Sequence, residues 1–306
     1  TGYKALYANT TGASNVAVGT SALQANTTGD CNVAVGIGAL DLNTTGTDNV
    51  AVGRDAGGCQ TTASNNVAIG AATLFKNTGA NNTAVGYLAS MCNTTGTDNI
   101  AVGYQALKAN TTASNNVAVG GIALDLNTTG SSNTSIGHTA HGAASTGDCN
   151  TALGRAAGNN VTTGSNNITI GYNSGTDAVR TVNSGDHDIV IGNNSSTDAF
   201  IKIDWTVTSD LRDKMNIEDV PHGLDFVNQL NPIKYRFKKS RENDTPHGDP
   251  KYGFKAQEIL ALEGDNPVII NNEDTDNLKL TSAHLIPVLV NAIKELKARI
   301  EELEKK

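Results

Sequence analysis

The chain has 306 residues, a formal net charge of −8, a pI near 5.2 and few aromatic residues. The acidic balance and the lack of a basic stripe exclude nucleic acid as an expected partner. No apolar run is long enough to cross a bilayer, and no signal peptide is visible, so no membrane insertion is expected. All six prolines and every glutamate lie beyond residue 216, which indicates two parts of different kind.

A repeat of 17 residues dominates the first part. It suits one rung of a parallel β-solenoid or β-roll, with two short strands separated by Gly and Asn turns. In V-A-V, Val16 and Val18 share one strand face and Ala17 takes the other. We expect Val, Ile, Leu and Ala to fill a narrow tube that is stabilised by stacking. The N-V-A-V-G pattern recurs every 17 residues, with one step of 16, at Asn15, Asn32, Asn49, Asn66, Asn82, Asn99, Asn116, Asn133, Asn150 and Asn167.

Roughly ten such rungs, at about 4.8 Å each, predict a rod on the order of 50 Å long. The units resemble the head repeats of trimeric autotransporter adhesins, whose N-S-V-A-I-G motif marks each coil of a left-handed parallel β-roll. The resemblance covers residues 1–171, and the longer unit predicts a different cross-section. Gly-rich rungs bury little apolar area and are costly to order, so we predict an obligate homotrimer whose chains share Ala and Val faces.

The repeats contain cysteines and N-T-T tripeptides. Cys31 and Cys149 lie seven rungs apart, and Cys59 and Cys92 lie two rungs, or about 10 Å, apart. A disulfide needs Cα atoms within about 7 Å, so we predict free, buried thiols that fill rungs in a reducing cytoplasm. Neither metal-ligand spacing nor a cofactor motif is present, so no metal or cofactor is predicted. We interpret several asparagines that begin N-T-T tripeptides as members of turn-forming ladders and not as glycosylation sites. These are Asn26, Asn43, Asn93, Asn110 and Asn127.

After Gly171 the repeat changes its step. ITIGYNSGTDA at 168–178 recurs 21 residues later as IVIGNNSSTDA at 189–199, so the rungs are being widened or capped. FIKIDWTVT then reads as a strand that leaves the rod. The sequence therefore predicts a solenoid rod at 1–192, a neck strand at 193–208 and a small α+β domain at 209–306.

The α+β domain begins with SDLRDKMNIEDV. Asp210 is a good helix N-cap, with Asp213 three residues later. Ser209 and Lys214 then occupy the two positions that meet across a helix start, which brings a hydroxyl against an amine. Such a pair is a nucleophile and base if burial favours the neutral lysine, and free amides at the helix start could stabilise an oxyanion. A plain helix cap is the alternative interpretation.

The S-D-x-R-x-K-x-x-I motif that ends at Ile217 resembles the start of the endosialidase-type C-terminal intramolecular chaperone domain. LNPIKYRFK at 230–238, YGFKAQEI at 252–259 and the terminal LIPVLVNAIKELKARIEELE extend the resemblance over 209–306. The family occurs in phage tail fibres, tail spikes and endosialidases, where the domain helps a homotrimeric β-rich stalk to fold and then cuts itself off. By this resemblance Ser209 is the nucleophile and Lys214 the general base, with Thr208, Asp210 and Arg212 supporting the cleavage site.

The last helix, predicted at about 281–305, carries a coiled-coil seam with alternating spacings of three and four. Ile at one seam position and Leu at the other favours a two-stranded coiled coil. The family that the domain resembles is trimeric, and we therefore predict a three-stranded coiled coil. The seam is formed by Ile286, Leu289, Ile293, Leu296, Ile300 and Leu303. No Ser/Asp constellation surrounds His222, His247 or His284, so we interpret these as structural or surface residues.

These observations predict the distal part of a phage tail fibre or spike, a virion component assembled in the bacterial host cytoplasm. Its partners are upstream virion proteins and a glycan or protein receptor on the host surface. Its enzymatic activity would be one intramolecular cleavage, at bond 208–209 or 209–210, after assembly. Two alternatives stay open. One is a bacterial surface adhesin or other fibrous protein with a non-cleaving trimerisation module, and the other is an ice-binding protein with a Thr face.

Overall fold

The computed structural model describes residues 1–177, 180–196, 199–200, 202 and 209–306. The chain divides into two compact units, Thr1–Asn194 and Ser195–Lys306. Most of the interval assigned to a neck lies outside the described residues, and so do Trp205 and Thr208. The neck strand therefore stays a prediction.

The first unit is the parallel β-solenoid that the repeat predicts. Each rung contributes one three-residue strand, and successive strands keep one register, with Ala17 opposite Ala34 and Ala34 opposite Ala51. A short hairpin, β11 (Thr176–Asp177) and β12 (Arg180–Thr181), interrupts the series. Within the described residues the sheet has eleven strands: β1 (Val16–Val18), β2 (Val33–Val35), β3 (Val50–Val52), β4 (Val67–Ile69), β5 (Thr83–Val85), β6 (Ile100–Val102), β7 (Val117–Val119), β8 (Thr134–Ile136), β9 (Thr151–Leu153), β10 (Ile168–Ile170) and β13 (Ile189–Ile191).

Only the alanine face of the strands lies inside the solenoid. Ala17 is 7% exposed, whereas Val16 and Val18 are 47% and 43% exposed. The prediction that these strand valines fill the tube is therefore wrong, and the alanine face is not available to other chains. The reason is space, since the strand alanines pack against leucines of the same chain, such as Leu23, across a narrow interior. The β-branched Thr169 takes the alanine position where the residues packed against it are glycines.

The second half of each rung is a turn segment and not the second strand that we expected. Ala22 and Leu23 are adjacent and both fully buried, whereas neighbours in a strand point to opposite faces. The backbone turns both inward by adopting left-handed conformations, with φ of 59° at Ser21 and 51° at Leu23. Such a conformation costs about 1–2 kcal/mol per residue. Rung-to-rung hydrogen bonds, such as Leu23 N to the carbonyl of Ala39 at 3.0 Å, offset this cost.

Columns of buried asparagines run along the solenoid. Asn110 donates to Asn93 Oδ1 at 2.7 Å and to the carbonyl of Ala113 at 3.0 Å. Asn127 continues the column by donating to Asn110 Oδ1 at 3.2 Å. The asparagines of the N-T-T tripeptides interpreted as ladders all belong to this column and are fully buried: Asn26, Asn43, Asn93, Asn110 and Asn127. The ladder interpretation is confirmed, and burial prevents these asparagines from accepting a glycan in the folded chain.

The interior changes towards the C-terminal end of the solenoid. A continuous core of alanine and leucine extends from Ala17 through Leu124. In the next three rungs the leucine position is occupied by His141, Gly158 and Gly175. A Cβ atom at Gly158 would lie 2.4 Å from the His141 ring, so the imidazole fits because glycine follows it.

The step of 21 residues has a local cause. The hairpin β11–β12 is inserted between Gly175 and Val182, and the side chain of Val182 then returns to the core with Val161 and Val190. Of the two interpretations made from sequence, widening of the rung is the one that the structure supports.

The second unit is the small α+β domain that the sequence predicts, and it ends in a helix. β14 pairs with β15 and β16 pairs with β17, both antiparallel. Its core consists of Phe226, Ile259, Ile269, Ile270, Leu285 and Val288. The elements are α1 (Leu224–Val227), β14 (Ile233–Ser240), β15 (Asn243–Gly253), α2 (Ala256–Glu263), β16 (Ile270–Asn271), β17 (Lys279–Leu280), a 3-10 turn (Ser282–His284) and α3 (Leu285–Glu304).

Helix α3 has two apolar faces with different surroundings. Leu285, Val288 and Ala292 are buried against the domain. The predicted seam is exposed, from 43% at Leu289 to 68% at Leu303. A single chain thus leaves this second apolar face uncovered.

Candidate active site

The stretch that begins the second unit folds as a single tight turn. Leu211–Asp213 forms a 3-10 turn, and the Asp210 side chain accepts from the Arg212 amide at 2.9 Å, as its predicted capping role requires. The predicted helix is shorter than expected, because Lys214 already ends it in an extended conformation. The segment is therefore a capped turn and not the start of a long helix.

This turn brings together the two residues that the sequence pairs. Lys214 Nζ donates to Ser209 Oγ at 2.8 Å. The two residues are five positions apart, and the turn between them folds the chain back so that their side chains meet. The contact has the geometry from which an amine can remove a hydroxyl proton.

Asp210 and Arg212 hold the turn from outside. The Arg212 guanidinium donates to both carboxylate oxygens of Asp210, from Nε at 3.0 Å and from Nη2 at 2.6 Å. These bonds lower the pKa of the Asp210 carboxyl and raise the pKa of the Arg212 guanidinium. Both groups are solvent-exposed, so we assign the pair a role in fixing the turn's shape and little share of the stability.

The expected oxyanion donors are already engaged. The amide of Arg212 donates to the Asp210 side chain, that of Asp213 to the Asp210 carbonyl, and that of Lys214 to the Leu211 carbonyl. The expectation that free amides at a helix start face the serine is wrong for these three groups. A 3-10 turn of this length satisfies them internally.

The surroundings of the pair are exposed and apolar. Ser209 and Lys214 both face solvent, and the neighbouring Leu211, Met215 and Ile217 are 68%, 82% and 67% exposed. Leu211 and Met215 were not identified from the sequence, although apolar residues within a charged stretch were a usable signal. Three large apolar side chains beside a polar pair indicate a surface that another chain segment covers.

The remaining candidates have ordinary roles. The His222 ring stacks on Phe226 with centroids 4.2 Å apart. His247 Nε2 lies 3.3 Å from the Ser195 carbonyl, and His284 Nδ1 lies 2.8 Å from the Val268 carbonyl.

The cysteines are free, and they are less buried than expected. Cys31 and Cys149 are exposed, whereas Cys59 and Cys92 are half-buried. The first two precede the repeat asparagine, at a position where the chain turns on the surface.

In the part of the chain that the structure describes, no group of three or more His, Cys, Asp or Glu side chains could hold a metal ion. No helix there is long and apolar enough to span a membrane.

Residues 209–266 match the model of a family described as chaperone of endosialidase. The match begins at Ser209, so the predicted endosialidase-type chaperone domain is confirmed for this stretch. The family is one of self-cleaving chaperone domains. No curated protein and no solved structure matches the chain. Together the family match and the stacked 17-residue rungs define a tail-fibre-like protein with a chaperone module.

Proposed function

We propose that the chain is the distal part of a phage tail fibre or spike, a homotrimeric rod that attaches the virion to its host. The C-terminal module drives trimer assembly and then cuts itself off beside Ser209. The observation that carries this proposal is the start of the family match at a serine whose hydroxyl receives a hydrogen bond from Lys214 at 2.8 Å.

Two apolar surfaces support assembly into a trimer. The exposed seam of α3 is one. The other, which we call the outer strand face, is formed by the first and third residues of the sheet strands. Apart from Thr83, Thr134 and Thr151 this face is apolar. An exposed apolar face of this length marks an interaction surface, and every copy of the chain presents the same face. At least 40% of the residue surface is exposed at Val16, Val18, Ile69, Ile100, Ile136, Leu153, Ile189 and Ile191.

The proposed cleavage needs only the chain's own groups and water. Lys214 Nζ removes the Ser209 hydroxyl proton as Oγ attacks a neighbouring backbone carbonyl, that of residue 208 for bond 208–209. The new C–O bond replaces the C–N bond, and the released α-amine of Ser209 takes up a proton. Water then hydrolyses the ester, leaving a carboxylate on one fragment and restoring the hydroxyl on the other.

Assembly supplies the condition that makes this chemistry possible. An amine accepts a proton only in its neutral form, and removal from water favours that form. The exposed Leu211, Met215 and Ile217 supply an apolar rim that neighbouring chains cover in the trimer. Cleavage therefore follows assembly and reports correct folding.

The adhesin alternative differs from our proposal in one respect, because its module trimerises the chain without cutting it.

The threonine column argues against the ice-binding alternative. The hydroxyls of Thr27, Thr44 and Thr94 donate to carbonyls of the next rung at 3.0, 3.0 and 2.7 Å. They are engaged within the rod and are not free to match an ice lattice. Absence of thermal hysteresis is the expected result.

Variants of the pair test the assignment. We expect Ser209→Ala and Lys214→Ala each to yield full-length chains that still assemble, read by denaturing mass spectrometry and light scattering. Ser282→Ala and Lys255→Ala, which change exposed residues of the same unit, should be cut as the wild type is. Cleavage of Ser209→Ala at the wild-type bond would make the module a trimerisation cap without a dyad.

A further inference from the structure

One surface column of the solenoid combines aromatic rings with guanidinium groups. It is formed by the residue that follows the turn glycine of each rung. The solenoid itself does not require such side chains, because Ala71 and Gly121 occupy the same position in other rungs. Exposed members of the column are Tyr3, Thr20, Ile37, Arg54, Tyr87, Tyr104, His138, Arg155 and Tyr172.

Tyr87 and Tyr104 form the flat centre of this column. Their ring centroids are 5.9 Å apart and their planes differ by 16°. The two residues are 48% and 52% exposed. Successive rungs hold them at a fixed spacing, so the rings are already oriented before any ligand arrives.

On its Tyr87 side the tyrosine pair is bordered by a small residue. Ala71 precedes Tyr87 in the column, and beyond it Arg54 lies two rungs, or about 10 Å, from Tyr87. The Arg54 side chain is 66% exposed, and its contact with Asp55 is long, at 3.9 Å. The position over Ala71, which we call the Ala71 gap, thus lies between a tyrosine one rung away and an arginine one rung away in the other direction, with an apolar methyl group at its base.

We propose that the Ala71 gap binds one pyranose ring of a saccharide chain that runs along the column. The apolar C–H face of the sugar packs on the Tyr87 ring, and the Arg54 guanidinium donates to ring hydroxyls. This combination of an apolar platform and a few placed donors is typical of small-ligand sites. The net charge of −8 favours a neutral chain over a polyanion. The inference rests on the proposed role in host attachment and names its receptor class.

The test uses the assembled full-length protein on an array of purified neutral and acidic bacterial polysaccharides. We expect a neutral polysaccharide to bind, and Tyr87→Ala to weaken that binding about tenfold or more. Arg54→Gln should weaken it as well, while Tyr87→Phe should keep it. Tyr7→Ala, which removes an even more exposed tyrosine from a different column, is the control and should bind like the wild type. No binding on the array, or equal loss in Tyr87→Ala and Tyr7→Ala, would overturn the proposal.

A second measurement separates this inference from the attachment role. Wild-type protein is applied to a panel of bacterial cells treated with periodate, which destroys sugar diols, or with protease. Loss of binding after periodate alone supports the saccharide. Binding that survives periodate and is lost after protease would overturn the saccharide proposal and leave host attachment intact.

Discussion

The two units of the chain satisfy their polar and apolar groups in different ways. In the solenoid, buried asparagines bond to asparagines of the next rung, and strand alanines pack on leucines of the same chain. In the C-terminal unit, the Ser209–Lys214 pair, the apolar residues beside it and the α3 seam all remain exposed. Much of the first unit is completed by its own repetition, whereas the proposed trimer is what completes the second.

The contrast indicates that the stability of the rod depends on contacts within one chain, whereas the proposed activity of the module depends on assembly. A rung is stabilised by the rungs on either side. In our proposal the module gains a dry site and a covered seam only when copies meet. Folding of the rod and chemistry of the module are therefore separable by mutation.

The largest effect is expected from a matched pair of glycine substitutions. Gly103 and Gly264 both have positive φ, 136° and 74°, so alanine at either position adds backbone strain of roughly 1–3 kcal/mol. At Gly103 the new Cβ would also lie 2.5 Å from the Gly120 carbonyl oxygen, whereas nothing lies within 4 Å at Gly264. We expect Gly103→Ala to cost more than about 4 kcal/mol in all. Urea unfolding followed by circular dichroism measures both, and equal costs would contradict the stacking account.

A smaller effect is expected from breaking the asparagine column. Asn110→Ala removes bonds to Asn93, Ala113 and Asn127. The buried Asn93 Oδ1 then has no donor, whereas the Ala113 carbonyl keeps the bond from Asn99 and Asn127 keeps its bond to the Gly130 carbonyl. The lost bonds and the unpaired acceptor together cost about 3 kcal/mol. Asn160→Ala, an exposed change in the same unit, should stay within about 0.5 kcal/mol. Denaturant midpoints compare the two variants. Similar midpoints would mean that the column does not stabilise the rod.

His141 predicts an acid-sensitive place in the rod. It is fully buried in the core, its Nδ1 lies 2.8 Å from Ser135 Oγ, and its Nε2 has no hydrogen-bond partner among the described residues. Burial lowers the pKa of His141 to about 4. Gly158 and Thr169, which also line this place, carry no charge that would stabilise an imidazolium.

The sign of the pH effect follows from this lowered pKa. Above pH about 6.5 the imidazole is neutral in both folded and unfolded chains, so it contributes no pH dependence. Between pH 6.5 and about 4 the unfolded chain binds a proton that the folded chain does not, so stability falls as pH falls and levels off below about 4. At pH 5 the loss is about 2 kcal/mol. His141→Leu should remove this dependence, measured as unfolding midpoints from pH 8 to pH 4, and an unchanged slope would contradict it.

The 17-residue repeat and its strands could be predicted from sequence, but the strand face that points into the core could not. The strands fall on V-A-V because alternation and turn residues mark them locally. Whether Val18 or Ala17 faces inward depends on the distance between the strand and the opposite turn segment, which the pattern does not contain. The adjacent pair Ala22 and Leu23 was the overlooked signal, since two neighbouring apolar residues do not suit a half-buried strand.

At the candidate site, the proximity of Ser209 and Lys214 follows from local capping chemistry and was predictable. The length of the turn was not, because Lys214 adopts an extended conformation that no residue pattern before it requires. The engaged amides follow from that length. The exposure of Leu211, Met215 and Ile217 was not predictable either. The burial of an apolar residue depends on which other segments pack against it, and the local pattern does not contain that information.

The most direct test of the central claim is the mass of the wild-type chain in separated monomer and trimer fractions, followed over time by denaturing mass spectrometry. We predict that trimer fractions contain two polypeptides, divided at bond 208–209 or 209–210. Monomer fractions should contain the intact chain of 31.6 kDa. Cut chains in the monomer fraction, or a trimer that stays whole, would contradict assembly-dependent self-cleavage.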